Sequence, residues 1–207
     1  MKLLKLGGQA LQLGNKETKR RIAEASEAED LTAQLEKATY KVTGLETKEK
    51  KRNPSAPFTT AKLQQEAAQK LKYSVQRTMQ NAQRLYEGVD FGEGPVGLIT
   101  YMRTDSPRLA PEAVEAAREF IAKKYGKDYL PAKAREFKGK NSAQDAHEAI
   151  RPTDISRTPE SLRAKLDPDQ FRLYALIWRR TVACQMEAAR FDETVVQSEV
   201  ELKNSDT

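Results

Sequence analysis

Alternating apolar and polar residues occupy both ends of this 207-residue chain, and that spacing constrains its fold more than any other feature. From Lys2 to Leu13 the pattern reads as two short strands turning around Gly7-Gly8. From Thr194 to Lys203 it reads as another, with Val196, Val200 and Leu202 on one face and Glu199 and Glu201 on the other. About 130 mainly helical residues lie between. A chain organised this way has a small β-rich part whose segments are far apart in sequence, a geometry that neighbouring termini permit. The alternative is a piece cut from a longer protein.

Composition narrows the chemistry. Lys and Arg number 36 against 30 Asp and Glu, a formal charge of +6. The surplus suits an anionic partner and equally suits a solubilising surface. No run approaches the roughly 18 apolar residues of a membrane span, and the start, Met1 to Gly8, has too short an apolar stretch for a secretory signal. A soluble, cytoplasmic protein is expected. Cys184 is the only cysteine and His147 the only histidine, so an internal disulfide, a multi-thiolate zinc site and an all-histidine metal site are excluded.

Along the chain, Asn15 is placed to cap a helix carrying Ile22, Ala25, Leu31 and Leu35 as far as Ala38, and Thr39 to Thr43 alternates as a strand. Lys48 to Arg52 adds only charge. Asn53-Pro54-Ser55-Ala56-Pro57 then marks a boundary or hinge. Thr59 or Thr60 caps a helix from Ala61 to Leu71. A second helix, Ser74 to Glu87, sets Val75, Met79, Ala82 and Tyr86 on one side, with Gln76, Gln80, Gln83 and Glu87 as a polar stripe beside them. Periodicity alone makes that stripe a solvated edge.

Gly88 to Gly97 is glycine-rich and acidic and has no Lys, so it is a mobile connection and not a Walker-type phosphate loop. The helix Pro111 to Tyr125 buries Val114, Ala117, Ile121 and Tyr125, and Gly126 stops it. Lys127 to Lys140 is irregular and basic, with Lys133, Arg135, Lys138 and Lys140. Short helices follow at Ser142 to Ile150 and Glu160 to Leu166. Asp167-Pro168 opens the longest apolar helix, striped by Phe171, Tyr174, Trp178 and Val182, with Cys184 a small buried hydrophobe at its end.

Two clusters hold polar residues that packing does not require. If Leu98 to Arg103 is a strand, Tyr101 and Arg103 project from one face. A guanidinium favours the ionised phenol beside it and can also hold a phosphate by two hydrogen bonds. The plainer reading is a surface strand ending in a turn at Thr104-Asp105. In the second cluster, Gln144 to Thr153, a helix would place His147 and Arg151 on one face. Such a pair suits a DNA phosphate, and His147 could pass a proton. A lone histidine is equally a structural hydrogen-bonding residue.

The run Gly97-Leu98-Ile99-Thr100-Tyr101-Met102-Arg103-Thr104-Asp105-Ser106, followed by Ala146-His147-Glu148-Ala149-Ile150-Arg151-Pro152-Thr153, resembles the active-site segments of the type IA DNA topoisomerases. Ala56-Pro57-Phe58-Thr59-Thr60, Leu63-Gln64-Gln65, Gln83-Arg84-Leu85-Tyr86-Glu87, Leu176-Ile177-Trp178-Arg179 and Cys184-Gln185-Met186 extend the likeness over about 130 residues. The wording favours the bacterial topoisomerase I branch over the topoisomerase III branch. Pro107 departs from the usual Thr or Val after Thr-Asp-Ser, a change expected to alter only the turn.

The resemblance implies an α+β fold, mainly α: a helical, winged-helix-like tyrosine domain at 53–187 inserted between segments of a small β-rich arch, 1–52 and 188–207. It implies hinges near Pro57 and Glu187, about which the tyrosine domain swings to pass a strand. Tyr101 matches the nucleophile, Arg103 the residue that positions and neutralises the phosphate, and His147 one that contributes to cleavage and religation. Gln83, Glu87, Thr100, Thr104 and Asp105 match polar positions lining the site, with Arg151 and Lys133 to Lys140 facing DNA. The implied activity is ATP-independent relaxation of negatively supercoiled DNA through a 5′-phosphotyrosine intermediate on a single strand. Mg²⁺ would be held by a Toprim domain that precedes this chain, so the fragment alone is expected to be inactive and to bind no metal. The alternative is a non-enzymatic, winged-helix-type DNA-binding module in which Tyr101 stacks on a base.

Overall fold

Side-chain caps and prolines set where most helices of this protein begin. A computed structural model describes residues 3–6, 9–11, 22–92, 94–137 and 147–200. Its elements in order are β1 Lys5–Leu6, β2 Gln9–Ala10, α1 Ala25–Glu36, β3 Tyr40–Arg52, α2 Thr60–Glu66, α3 Val75–Glu87, β4 Val89–Asp90, β5 Pro95–Val96, α4 Pro111–Lys124, α5 Pro159–Leu162, α6 Pro168–Cys184 and β6 Ala189–Val200. The mixture is α+β. It divides into two compact units, Met1–Glu49 with Asp192–Thr207, and Lys50–Phe191. Both cuts fall inside long strands.

In the first unit, β1 and β2 pair antiparallel, Lys5 opposite Ala10 and Leu6 opposite Gln9, as their alternation suggests. Helix α1 buries none of its residues and begins at Ala25 behind Glu24, which makes no side-chain cap. Ile22, expected within a helix, precedes it, and the expected cap Asn15 lies outside the described residues. Strands β3 and β6 form a two-stranded ribbon. The Thr47 and Thr194 hydroxyls meet at 3.1 Å, and a Cβ on Gly44 would touch the Gln197 side chain, so the strands run antiparallel. β3 extends well beyond the expected Thr43 and takes in Lys48 to Arg52, while β6 starts at Ala189 and not at Thr194. Backbone pairing carries the ribbon, with Val42, Leu45 and Val196 all more than half exposed, so apolar alternation does not mark its ends. Leu202 lies outside the described residues.

In the second unit α6 is the central element. Asp167 starts it with a capping box, accepting from the Asp169 and Gln170 N–H groups at 2.9 and 2.8 Å. The helix buries Leu173, Tyr174, Ile177, Trp178 and Val182, wider than a single stripe. These join Phe58, Leu63, Leu85, Leu98 and Ile121 in one core. At about 25 cal/mol per Å² of apolar surface, each fully buried side chain contributes roughly 2 kcal/mol before entropy. The aromatic tips are satisfied: Tyr174 donates to the Arg157 carbonyl at 2.6 Å and Trp178 to that of Ile155 at 2.9 Å.

Several local expectations change here. Thr59 caps α2 by accepting from Lys62 N–H, and the chain continues from α2 as a π-helical turn, Ala67–Leu71, ended by Lys72 at φ 61°. Helix α3 turns a different face inward: Thr78, Asn81, Ala82 and Leu85 are buried, whereas Val75 and Tyr86 are exposed. Thr78 and Asn81 tolerate burial because they donate to the carbonyls of Ser74 and Arg77 one turn back. Gly88 to Gly97 is a hairpin, β4 against β5, closed by the Asp90 carboxylate accepting from Gly92 and Gly94 N–H. Tyr125 is exposed just after α4. α5 ends at Leu162 instead of Leu166. The expected helix Ser142 to Ile150 is not helical over its described part: residues 147–150 are extended, and Ile150 bridges Phe58.

Candidate active site

The expected strand Leu98 to Arg103 does not form: the chain bends at Thr100 and Met102, and ladder pairing is limited to one bridge, Ile99 to Pro152. From Tyr101 to Ser106 burial still alternates, with Met102, Thr104 and Ser106 buried and Tyr101, Arg103 and Asp105 exposed. Two threonines do the holding instead. Thr100 donates its hydroxyl to the Ala149 carbonyl at 2.7 Å, accepts from Arg151 N–H at 3.0 Å, and donates its own N–H to the Arg151 carbonyl at 2.9 Å. Thr60, at the start of α2, donates its hydroxyl to the Met102 carbonyl at 2.7 Å, accepts from Thr104 N–H at 2.8 Å, and donates its N–H to the Thr104 carbonyl at 2.9 Å. Tyr101 and Arg103 therefore sit on a backbone pinned at Thr100, Met102 and Thr104.

The C-terminal part of α3 stands beside this segment. Leu98 N–H donates to the Leu85 carbonyl at 2.7 Å, and a Cβ on Gly97 would lie 2.7 Å from the Tyr86 carbonyl. Only glycine allows so close an approach. The result is an edge-on pair, the Tyr86 and Tyr101 rings 5.3 Å apart at 66°. Arg103 and Met102 then form one wall of a cleft of about 490 Å³, with Gln76, Met79, Gln80, Gln83, Arg84 and Glu87 of α3 opposite. The Gln83 amide donates to the Glu87 carboxylate.

Other nucleophiles are less suited to reaction. Burial pushes the Cys184 thiol up to about 12. Burial also raises the Tyr174 and Tyr73 phenols, and Tyr73 is bonded to the Asp169 carboxylate at 3.0 Å as well. Tyr101 is nearly half exposed, two residues from Arg103, and its ring meets that of Tyr86 on α3. An exposed phenol of this kind can attack an electrophile, and the guanidinium can bind an oxyanion.

The comparisons with known proteins point the same way. The family described as DNA topoisomerase matches residues 2–207. The chain belongs to the DNA topoisomerase family. It is 51% identical over 175 residues to DNA topoisomerase 1 of Rickettsia felis, covering 84% of this chain and 23% of that protein. It is 52% identical over 172 residues to DNA topoisomerase 1 of Rickettsia prowazekii, covering 83% and 22%. Among solved structures, full-length topoisomerase I of Thermotoga maritima superposes with a TM-score of 0.65 at 33% identity, over 93% of this chain and 34% of that one. The chain thus spans under a quarter of the length of these curated relatives. No described helix is long and apolar enough to cross a membrane.

For this topoisomerase-family chain, the residues expected at the site separate into three groups. Arg103, Gln83 and Glu87 line one cleft, and Tyr101 meets α3 through the Tyr86 ring. Gln76 and Gln80, which periodicity leaves on a solvated edge, line it too. Thr100 and Thr104 serve the backbone: Thr104 is buried and accepts from Ser106 N–H at 3.1 Å. Arg151 turns to its own loop, donating Nε to the Glu148 carboxylate at 2.6 Å and a terminal N–H to the Pro152 carbonyl at 3.0 Å. His147 is exposed, two residues from Ala149, whose carbonyl takes the Thr100 hydroxyl. Because 147–150 is extended, no shared helical face with Arg151 exists. Asp105 is exposed on the Tyr101 side of the alternation.

In the basic loop, Arg135 is partly buried and exchanges hydrogen bonds with Gln185, while its Nε donates to the Met186 carbonyl at 3.1 Å. It holds the chain together there. Lys138 and Lys140 lie outside the described residues. Thr60 and Tyr86 are the contributors that sequence reasoning missed. Thr60 was read as a cap, and Tyr86 as part of a buried stripe, although it follows Gln83 by three positions and so shares its side of α3.

Proposed function

We propose that this chain is the strand-cleaving portion of a type IA DNA topoisomerase, of the bacterial topoisomerase I kind. The Tyr101 phenolate attacks a backbone phosphorus of single-stranded DNA. A Tyr101 O–P bond forms, the bond from phosphorus to the upstream 3′ oxygen breaks, and that oxygen takes a proton. One phosphodiester replaces another, so the reverse attack by the 3′ hydroxyl reseals the strand without ATP. Arg103 holds the phosphate oxygens and neutralises the developing charge. His147 assists proton transfer at the 3′ oxygen. Gln83 and Glu87 line the approach, with Thr100 and Thr104 fixing the nucleophile's backbone.

Residues 53–187 then act as a winged-helix-like tyrosine domain, and 1–52 with 188–207 as an arch, with hinges near Pro57 and Glu187 that open for strand passage. The work is relaxation of negatively supercoiled DNA in the cytoplasm, at the nucleoid. Mg²⁺ belongs to a Toprim domain of the same polypeptide. Among the described residues no group of three or more His, Cys, Asp or Glu side chains could hold a metal. The chain by itself is expected to be inactive.

The observation that carries this reading is the exposed Tyr101 on a pinned backbone, its ring against Tyr86, with Arg103 two residues on in the cleft that Gln83 and Glu87 line. In the full polypeptide, Tyr101→Phe is expected to abolish the covalent adduct with an end-labelled single strand while binding stays within about twofold, since only one hydroxyl is lost. An adduct that persists in Tyr101→Phe would sink the reading. Plasmid relaxation by the 207-residue chain alone with Mg²⁺ would refute the expected inactivity.

A further inference from the structure

Two clefts adjoin along the outer side of α3. The first, about 490 Å³, runs from Arg103 past Gln83 to Arg84. The second, about 510 Å³, runs from Arg84 to Arg77 and the start of α6. Gln80 and Arg84 line both, so the two make one groove with Arg84 at its middle.

Its charges are unequal. Arg77 donates from Nε and a terminal nitrogen to the two Asp169 carboxylate oxygens at 2.7 and 2.8 Å, which neutralises the far end. Arg84 keeps 65% of its side chain exposed and reaches Asp167 only at 3.9 Å, too long for a hydrogen bond. The Asp167 oxygen Oδ1 is already engaged by two N–H groups of α6. The groove therefore offers cations at Arg103 and Arg84, amides at Gln80 and Gln83, the latter bonded to the Glu87 carboxylate, and an acidic stop at Asp167 and Asp169. At about 1.5 Å per residue, the helix from Glu87 to Gln80 measures about 10 Å, enough for a short piece of single strand.

We propose that this groove is a single-strand subsite adjoining Tyr101, in which Arg84 binds the backbone phosphate next to the one at Arg103, and Asp167 competes for Arg84 and keeps the strand from continuing toward α6. The proposal rests on the reading of the site given above and adds to it a second phosphate contact and a limit to the track. Gln80 and Gln83 face the sugars or base edges between the two phosphates, a polar lining without strong sequence preference.

The test is fluorescence anisotropy of a short labelled oligodeoxynucleotide with the 207-residue chain across a salt series. Arg84→Gln is expected to weaken binding by about threefold or more and to lower the slope of log affinity against log salt by about 0.7, the value for one single-strand phosphate contact. Asp167→Asn keeps a good helix cap and removes the competing charge, so it is expected to tighten binding by about twofold. If Arg103→Gln weakens binding while Arg84→Gln and Asp167→Asn leave it unchanged, the groove is wrong and the reading of the Tyr101 site stands. Binding by the unaltered chain that is undetectable or independent of salt would overturn both.

Discussion

The ribbon of β3 and β6 and the helical body around α6 are built on different physics. In the ribbon, two strands of 13 and 12 residues hold together by backbone hydrogen bonds, and Val42, Leu45, Val195 and Val196 remain exposed. In the body, Leu173, Tyr174 and Ile177 are wholly buried in a core shared with Phe58, α2, α3, residues 98–102 and α4. Charged residues such as Lys48 to Arg52 extend the ribbon at no cost, because neither face is dry. The body admits Thr78 and Asn81 only with their donors satisfied. Stability in the second case comes from side-chain packing, and Tyr101, the proposed nucleophile, is mounted there.

The largest effect that would break this contrast is a cavity in the body. Ile177→Ala removes a fully buried side chain and should cost about 3 kcal/mol in urea unfolding followed by helix ellipticity. Cys184 gives an independent readout, since its buried thiol, pushed up to about 12, should react with a disulfide reagent only as the body opens. Labelling should accelerate in Ile177→Ala, and unchanged labelling would mean that α6 is not the centre of the body. Next, Thr60→Val keeps the shape of the residue and deletes the hydroxyl that binds both Met102 and Thr104. It should cost about 1–2 kcal/mol and shift the Tyr101 ring resonances in an NMR spectrum. The smallest effect belongs to the ribbon: Val42→Ala, on an exposed face, should change the free energy of urea unfolding by under about 0.5 kcal/mol. A loss as large as that of Ile177→Ala would show that the ribbon too depends on buried side chains.

Much of the candidate site was legible because it follows rules with short range. Burial alternates from Tyr101 to Ser106 without a ladder and across a bend at Met102, so the two-residue spacing of Tyr101 and Arg103 already put them on one side. The four-residue step from Gln83 to Glu87 survives as a hydrogen bond on α3. Family motifs supplied the proposed roles, and the match over residues 2–207 shows the family. Legibility failed where long-range pairing decides. Residues 147–150 have helix-forming composition, yet Ile150 N–H goes to Phe58 and Ala149 N–H to Arg108, and that pairing draws them extended. Arg151, a natural phosphate ligand by type, is turned toward Glu148.

The sequence by itself determined the helix starts at Ser74 and Asp167, narrowed that of α2 to Thr59 or Thr60, and marked the strand segments near the two ends, the buried cysteine, and the candidate residues for the family's chemistry. These depend on neighbours within one turn or on residue type alone. Only the tertiary structure decided which face of α3 is buried, that Thr60 pins the reactive segment, that Tyr86 meets Tyr101, and that Arg84 stays open while Arg77 is closed by Asp169. Each of those depends on a partner far away in the chain, and local periodicity does not encode distance in space.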